Sequence, residues 1–273
     1  MQASGTWTPP TGTLGQILGE TKARVDALRS GRNELERALA EAPPRPFSLA
    51  EALRRETVAV IAEVKRRSPS KGWIAEGLGA VEQAHAYADG GAAAISVLTE
   101  PAHFNGSIED LRAVVEDVDL PVLRKDFHID VLQLVEARLA GASAVLLIVR
   151  ALGPALKELH NAARELGLES LVEIRDREEL EAALEVGAQI IGINNRNLET
   201  LAIDPMTSDR LLPLIPPGVI AVAESGLKTA DDVARVARVG ADAVLMGSTL
   251  SGADDPEAAV RAVSSVQRVA RGS

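Results

Sequence analysis

AVIAEVKRRSPSKG, residues 59–72, is the stretch from which the fold follows. Val58–Val64 is apolar except for Glu63 and rich in β-branched residues, which predicts a short buried strand. Side chains alternate along a strand, so Ala59, Ile61, Glu63 and Lys65 share one face and Val60, Ala62 and Val64 the other. A carboxylate and an ammonium therefore meet at the strand's C-terminal end, just before a Ser-Pro-Ser-Lys-Gly loop. Buried charges are costly alone, so the two either satisfy each other as a structural ion pair or are held for a ligand. The ends of the other strands decide between these readings.

Seven more strand-like runs follow, at 92–98, 121–124, 143–149, 170–174, 189–193, 219–223 and 242–246. Amphipathic helices are expected between most of them, at Val81–Asp89, Ile108–Val115, Val131–Leu139, Pro154–Leu166, Glu178–Val186 and Asp231–Val239. Asp209–Ile215 is the weaker sixth connection, and Val260–Val269 supplies the last helix. Ser107-x-x-Asp110, Asp176-x-x-Glu179 and Thr229-x-x-Asp232 are helix-start signals. A Gly-Ala step precedes a strand at residues 90–92, 141–142, 187–188 and 240–241, where glycine ends the helix and alanine lets the chain turn into the sheet. Eight strands with intervening helices predict an α/β protein, a single (β/α)8 TIM barrel. The competing open, doubly wound sheet lacks its GxGxxG after the first strand.

Ahead of the barrel (56–270), residues 1–12 are expected to be disordered, and 13–55 to form a helical extension packed on it. Leu14–Leu28 and Leu35–Leu39 carry helical spacing around a Gly31 break, Pro43–Phe47 ends this preamble, and Ser48–Glu51 starts a short helix through Arg54.

Composition narrows the function. With 46% hydrophobic and 25% charged residues in 273, one large soluble domain is expected. No apolar run is long enough to span a membrane, and the N-terminus lacks a signal-peptide pattern. A formal net charge of −10 disfavours a nucleic-acid surface, although Lys65–Arg67 with Lys71 form a local basic patch suited to a small anion. The absence of cysteine is compatible with a cytoplasmic location and excludes a thiolate nucleophile. Four histidines without paired spacing argue against zinc: His85 and His160 on helices, and His103 and His128 in loops, read as structural or solvent-facing.

Barrel chemistry sits at the C-terminal strand ends. Five charges on four strands, Glu63, Lys65, Lys125, Glu173 and Glu224, project toward one mouth, where a packed core would hold Val or Leu. Lys125 shares the face of Leu123 and points inward, while Arg124 points out. Glu173 shares the face of Leu171. Glu224 either joins the chemistry or holds a lysine, and Arg196 either binds an anion or braces its loop. Ser225-Gly226 and Gly247-Ser248, at the ends of strands seven and eight, form the place where this fold binds phosphate.

Those motifs, IAEVKRRSPSKG (61–72), VLTEPAHFNGS (97–107), LRKDF (123–127), LVEI (171–174), IGINNRNL (191–198), AESG (223–226) and LMGSTL (245–250), together resemble indole-3-glycerol phosphate synthase from about Leu14 to the last helix. The resemblance implies closure and decarboxylation of an anthranilate-substituted deoxyribulose 5-phosphate without cofactor or metal. It implies Lys125 as general acid, Glu173 as acid/base of the later step, and Lys65 at the anthranilate carboxylate, where it could also serve as an acid. Glu63, Asn194, Arg196 and Glu224 line the pocket, Ser68 lies in the first loop, and Ser225, Gly226, Gly247 and Ser248 surround the phosphate. Leu98 and Leu147 are expected to hold the aromatic ring. The chain departs from the pattern at Arg175, where His is usual, and at Asn197, where Asp is usual. A phosphoribosylanthranilate isomerase would be expected to use a cysteine that this chain lacks. A Schiff-base aldolase would use Lys65 or Lys125 as nucleophile, and a barrel kept only for interaction would lose the inward charges. A monomer or weak homodimer is expected.

Overall fold

Every apolar run becomes a strand, and the eight pair in parallel into a closed barrel. They are β1 Ala59–Val64, β2 Ala94–Leu98, β3 Val122–Lys125, β4 Ala144–Ile148, β5 Glu169–Ile174, β6 Ile190–Asn194, β7 Ile220–Glu224 and β8 Ala243–Met246. The computed structural model describes residues 7–40, 42 and 47–271.

Period-two alternation sorts the core into two layers. Ala59, Ile61, Leu123, Ala144, Leu146, Leu171, Ile190, Val222 and Leu245 fill the barrel interior. Their neighbours Val60, Ala62, Val145, Val172, Ile191, Ala221 and Val244 pack outward against the helices. Register brings the polar ends level: Glu63 lies beside Ser96, Leu98 beside Lys125, Ile148 beside Glu173 and Asn194 beside Glu224. At the Gly-Ala steps, Gly187 and Gly240 have φ of 79° and 107°, conformations that side-chain-bearing residues rarely adopt.

Several boundaries differ from expectation, each for a local reason. The last helix runs Pro256–Ser264, started by Asp255, whose side chain accepts from the Ala258 N–H, with proline in the first turn. The sixth connection is Met206–Leu211 followed by a 3-10 turn at Leu212–Leu214, where Pro213 removes a donor. The fourth begins at Leu156 after a 3-10 turn containing Pro154. The short helix after Ser48 ends at Ala52. The first loop carries an antiparallel pair of Arg67–Ser68 with Gly72–Trp73.

The helix Gly12–Ser30 lies over the mouth, burying Leu14, Ile17 and Leu18 in the interior layer. Arg24 clamps Asp126 with both terminal nitrogens, at 3.0 and 2.7 Å, and Glu20 accepts from His103. Leu49 and Leu53 belong to the same layer at the opposite end, where Ser48 donates to Glu169 at the start of β5. Residues 1–6 of the stretch expected to be disordered, and 43–46 of the proline-rich break, lie outside the described residues. From Trp7 the chain is tied down: its indole donates to the Arg150 carbonyl, and Thr11 N–H to Glu199. Among the described residues no helix is long and apolar enough to cross a membrane.

Candidate active site

Inward parity at the strand ends, with the loops that follow, brings the polar and glycine residues singled out from the sequence to one cavity: Glu63, Lys65, Ser68, Lys125, Glu173, Asn194, Arg196, Glu224, Ser225, Gly226, Gly247 and Ser248. Glu63 pairs directly with Lys65 through Oε1, and Lys125 Nζ lies 3.5 Å from Glu63 Oε2 and 3.2 Å from Glu224 Oε2. The charges thus form one web across β1, β3 and β7 instead of an isolated pair on β1.

That web sets the protonation states. Burial works to raise the Glu63 carboxyl, but Lys65 and Lys125 outweigh it and hold the group below the usual carboxylate range. Burial opposes the Lys125 charge, yet Glu224, Glu63 and Glu173 keep it above an ordinary lysine, so it is an ammonium at any working pH. Burial and the nearby Glu224 charge push the Glu173 carboxyl up to about 8, against Lys125 and the Asn194 amide. Glu224 is raised by burial as well, in spite of Lys125. Of these two carboxyls, Glu173 is the one to carry the proton, because Glu224 has the direct ammonium contact. The cavity therefore sets the raised Glu173 carboxyl near the charged Lys125 and the lowered Glu63 carboxylate.

Apolar surface completes it. Leu98 lines the cavity as expected, but Leu147 does not. It belongs to the outer layer, and Leu146 and Ile148, of opposite parity, face inward. Thr13, Leu14 and Ile17 of the mouth helix, together with Phe104, Phe127, Leu198 and Lys228, also contribute without having been singled out. Phe104 and Phe127 lay inside quoted motifs, and Lys228 stands two residues beyond Gly226; no pattern in the helix announces what its apolar face meets.

Ser225 and Gly226 turn sharply, with φ of 65° and 81°, and line the same cavity as Gly247-Ser248, Lys71 and Lys228. Ser68 is buried on the small antiparallel pair, and its hydroxyl has no protein partner. Arg196 braces its loop: Nη1 donates to the Leu201 carbonyl at 3.0 Å, and its N–H to Asn194 Oδ1. Burial lowers its pKa. Arg175 and Asn197 line a second, smaller cavity that shares Glu173, Asn194 and Arg196 with the first. The Arg175 N–H donates to Glu179, and Asn197 Oδ1 accepts the Glu199 and Thr200 N–H groups.

Two glycines owe their place to carboxylates. A Cβ at Gly192 would fall 2.1 Å from Glu224 Oε1, and one at Gly247 would fall 2.3 Å from Glu63 Oε1 and 3.2 Å from Glu63 Cβ. Gly247→Ala is accordingly expected to displace Glu63 from its two lysines and to slow turnover by about 10- to 100-fold. Circular dichroism should stay native while steady-state kinetics record the loss. Wild-type kcat in the alanine variant would mean that the Glu63 position does not matter.

A family model described as indole-3-glycerol phosphate synthase matches residues 14–263. Curated relatives of that name include one from Nocardioides sp., 53% identical over 235 residues, covering 86% of this chain and 90% of the relative. Another, from Chlorobium phaeovibrioides, is 50% identical over 243 residues and covers 87% and 93%. Among solved structures, a 3-hexulose-6-phosphate synthase superposes with a TM-score of 0.59 over 76% of this chain and 98% of its own, at 18% identity, which speaks for the fold alone.

Proposed function

The chain belongs to the indole-3-glycerol phosphate synthase family, and we propose that Lys125, Lys65, Glu63 and Glu173 divide the chemistry of that reaction among them. The enzyme converts 1-(2-carboxyphenylamino)-1-deoxyribulose 5-phosphate to indole-3-glycerol phosphate by ring closure, decarboxylation and dehydration. In closure, the aromatic carbon bearing the carboxylate attacks the ketone, and the ketone oxygen gains the negative charge. Lys125, kept protonated by Glu63 and Glu224, stands ready to neutralise that oxygen and give it a proton. Loss of CO2 returns its bonding electrons to the ring system. The hydroxyl then leaves as water, which needs an acid at oxygen and a base for the remaining ring proton.

Glu173 is suited to that last step because its carboxyl stays neutral near pH 7. Lys65 meets the anthranilate carboxylate, and Glu63 orients both lysines. The aromatic ring lies among Leu98, Leu146, Phe104 and Phe127, and the phosphate between Ser225-Gly226 and Gly247-Ser248. Ser68, Asn194 and Arg196 complete the substrate contacts, with the mouth helix as roof, so that residues 13–55 and the barrel act as one catalytic unit.

The observation that carries this division is a single cavity in which Glu63 pairs with both Lys65 and Lys125, while the Glu173 carboxyl, raised by burial, lies in the same cavity outside that pairing. Wild-type protein given the carboxyphenylamino substrate should release one CO2 per turnover and develop indole fluorescence. Appearance of neither product would remove the reaction itself. A lysine adduct trapped by borohydride would favour aldolase chemistry.

A further inference from the structure

We propose that Ser251 is a positioning residue for Glu63 and Lys65, its hydroxyl serving as the missing rung of the β1–β8 ladder. The inference rests on the roles given above to those two side chains. In a parallel pair, alternate residues of a strand bond to the same neighbour. Ala59 N–H donates to Asp242 O of the β8 side, while Val60 O accepts from Ala93 on the β2 side. The odd-numbered residues 59, 61, 63 and 65 therefore face β8.

β8 pairs with β1 only as far as Met246 opposite Ala62. At Gly247 the chain leaves the sheet and turns into the short helix Ser248–Ser251. The Glu63 carbonyl and the Lys65 N–H, which the next β8 residues would have met, are left without a strand. Ser251 Oγ takes both: it donates to Glu63 O at 2.9 Å and accepts from Lys65 N–H at 3.1 Å. Tyr87 OH lies 3.0 Å from the same oxygen and 3.3 Å from Glu63 O.

A hydroxyl has one donor and two acceptor sites. With its proton on Glu63 O, and with Lys65 N–H and Tyr87 O–H donating to it, Ser251 is fully used in one arrangement only. Burial pushes the Tyr87 phenol up to about 12, so it remains a donor. Both side chains are buried, so water cannot easily replace the rung. The peptide held in this way is the one from which Glu63 and Lys65 project into the cavity. The last ladder position of β1 is thus set by a side chain and not by a strand.

The test is kinetic, with Ser251→Ala, Ser251→Cys and Ser251→Thr beside wild type. Alanine is expected to lower kcat by about 10- to 100-fold with KM changed less than about fivefold, as misplacement of reacting groups does. Threonine keeps the hydroxyl and should recover most of the rate. Should alanine not fold, cysteine nearly preserves volume while bonding weakly, and it should fold and be slow. Lower melting temperature with wild-type kcat in the alanine or cysteine variant would make Ser251 a stability residue only and overturn the proposal. So would a folded threonine variant as slow as alanine. Inactive wild type would instead overturn the assigned reaction, so the two failures are distinct.

Discussion

Lys125→Met is expected to abolish indole formation while leaving substrate affinity within about tenfold of wild type. Methionine keeps the length of the lysine stem and removes only the charge and the donated proton. The ammonium is the group between Glu63 and Glu224 that is free to meet a ketone oxygen becoming an alkoxide. Loss of positioned acid catalysis typically costs about 10²–10⁴-fold, and the missing charge adds to that. Breaking a buried pair usually destabilises strongly. Here the damage is limited, since Glu63 keeps Lys65, and Glu224, already raised toward neutrality by burial, can take up a proton. Circular dichroism and a binding titration with product should therefore show a folded, ligand-competent protein. Near-wild-type turnover in this variant would detach Lys125 from the chemistry while leaving the family membership intact.

Where the sequence marked a strand with one charge, it also revealed which face points inward. Glu63 fixed the parity of β1, Lys125 that of β3, Glu173 that of β5 and Glu224 that of β7, and all four lie in the cavity. β4 carries no such mark. AVLLI is apolar on both faces, as strands covered on both sides are, so Leu147 and its neighbours could not be told apart. Gly247 was legible as a small residue at a phosphate-binding strand end but not as the space that Glu63 occupies. That contact joins residues 184 positions apart, beyond any local pattern. The helix Gly12–Ser30 is a similar case. Its spacing gives an apolar face, and only the packed structure shows Leu14 and Ile17 facing the cavity.

Glu173→Gln is expected to separate the two products in time. Glutamine preserves shape and can still bond to Asn194, but it has no proton to give. Closure and decarboxylation, which depend on Lys125, should continue, so in a single turnover CO2 appears first and the indole chromophore lags by about 10²–10⁴-fold. Wild type supplies an independent check through pH. The acid form of Glu173 is lost as pH rises through about 8, so kcat should fall on the alkaline side and the glutamine variant should lack this limb. Stability follows the same sign. A carboxyl raised from 4.5 when unfolded to about 8 when folded favours the folded state fully below 4.5, and that contribution is lost as pH climbs through about 8. Melting temperature should accordingly decline less between pH 5 and pH 8 (roughly the interval between the two values) in Glu173→Gln than in wild type. CO2 and indole rising together at the wild-type rate would take the dehydration step away from Glu173. Both vanishing together would move Glu173 forward to ring closure, where the neutral acid would then act beside Lys125 and not after it.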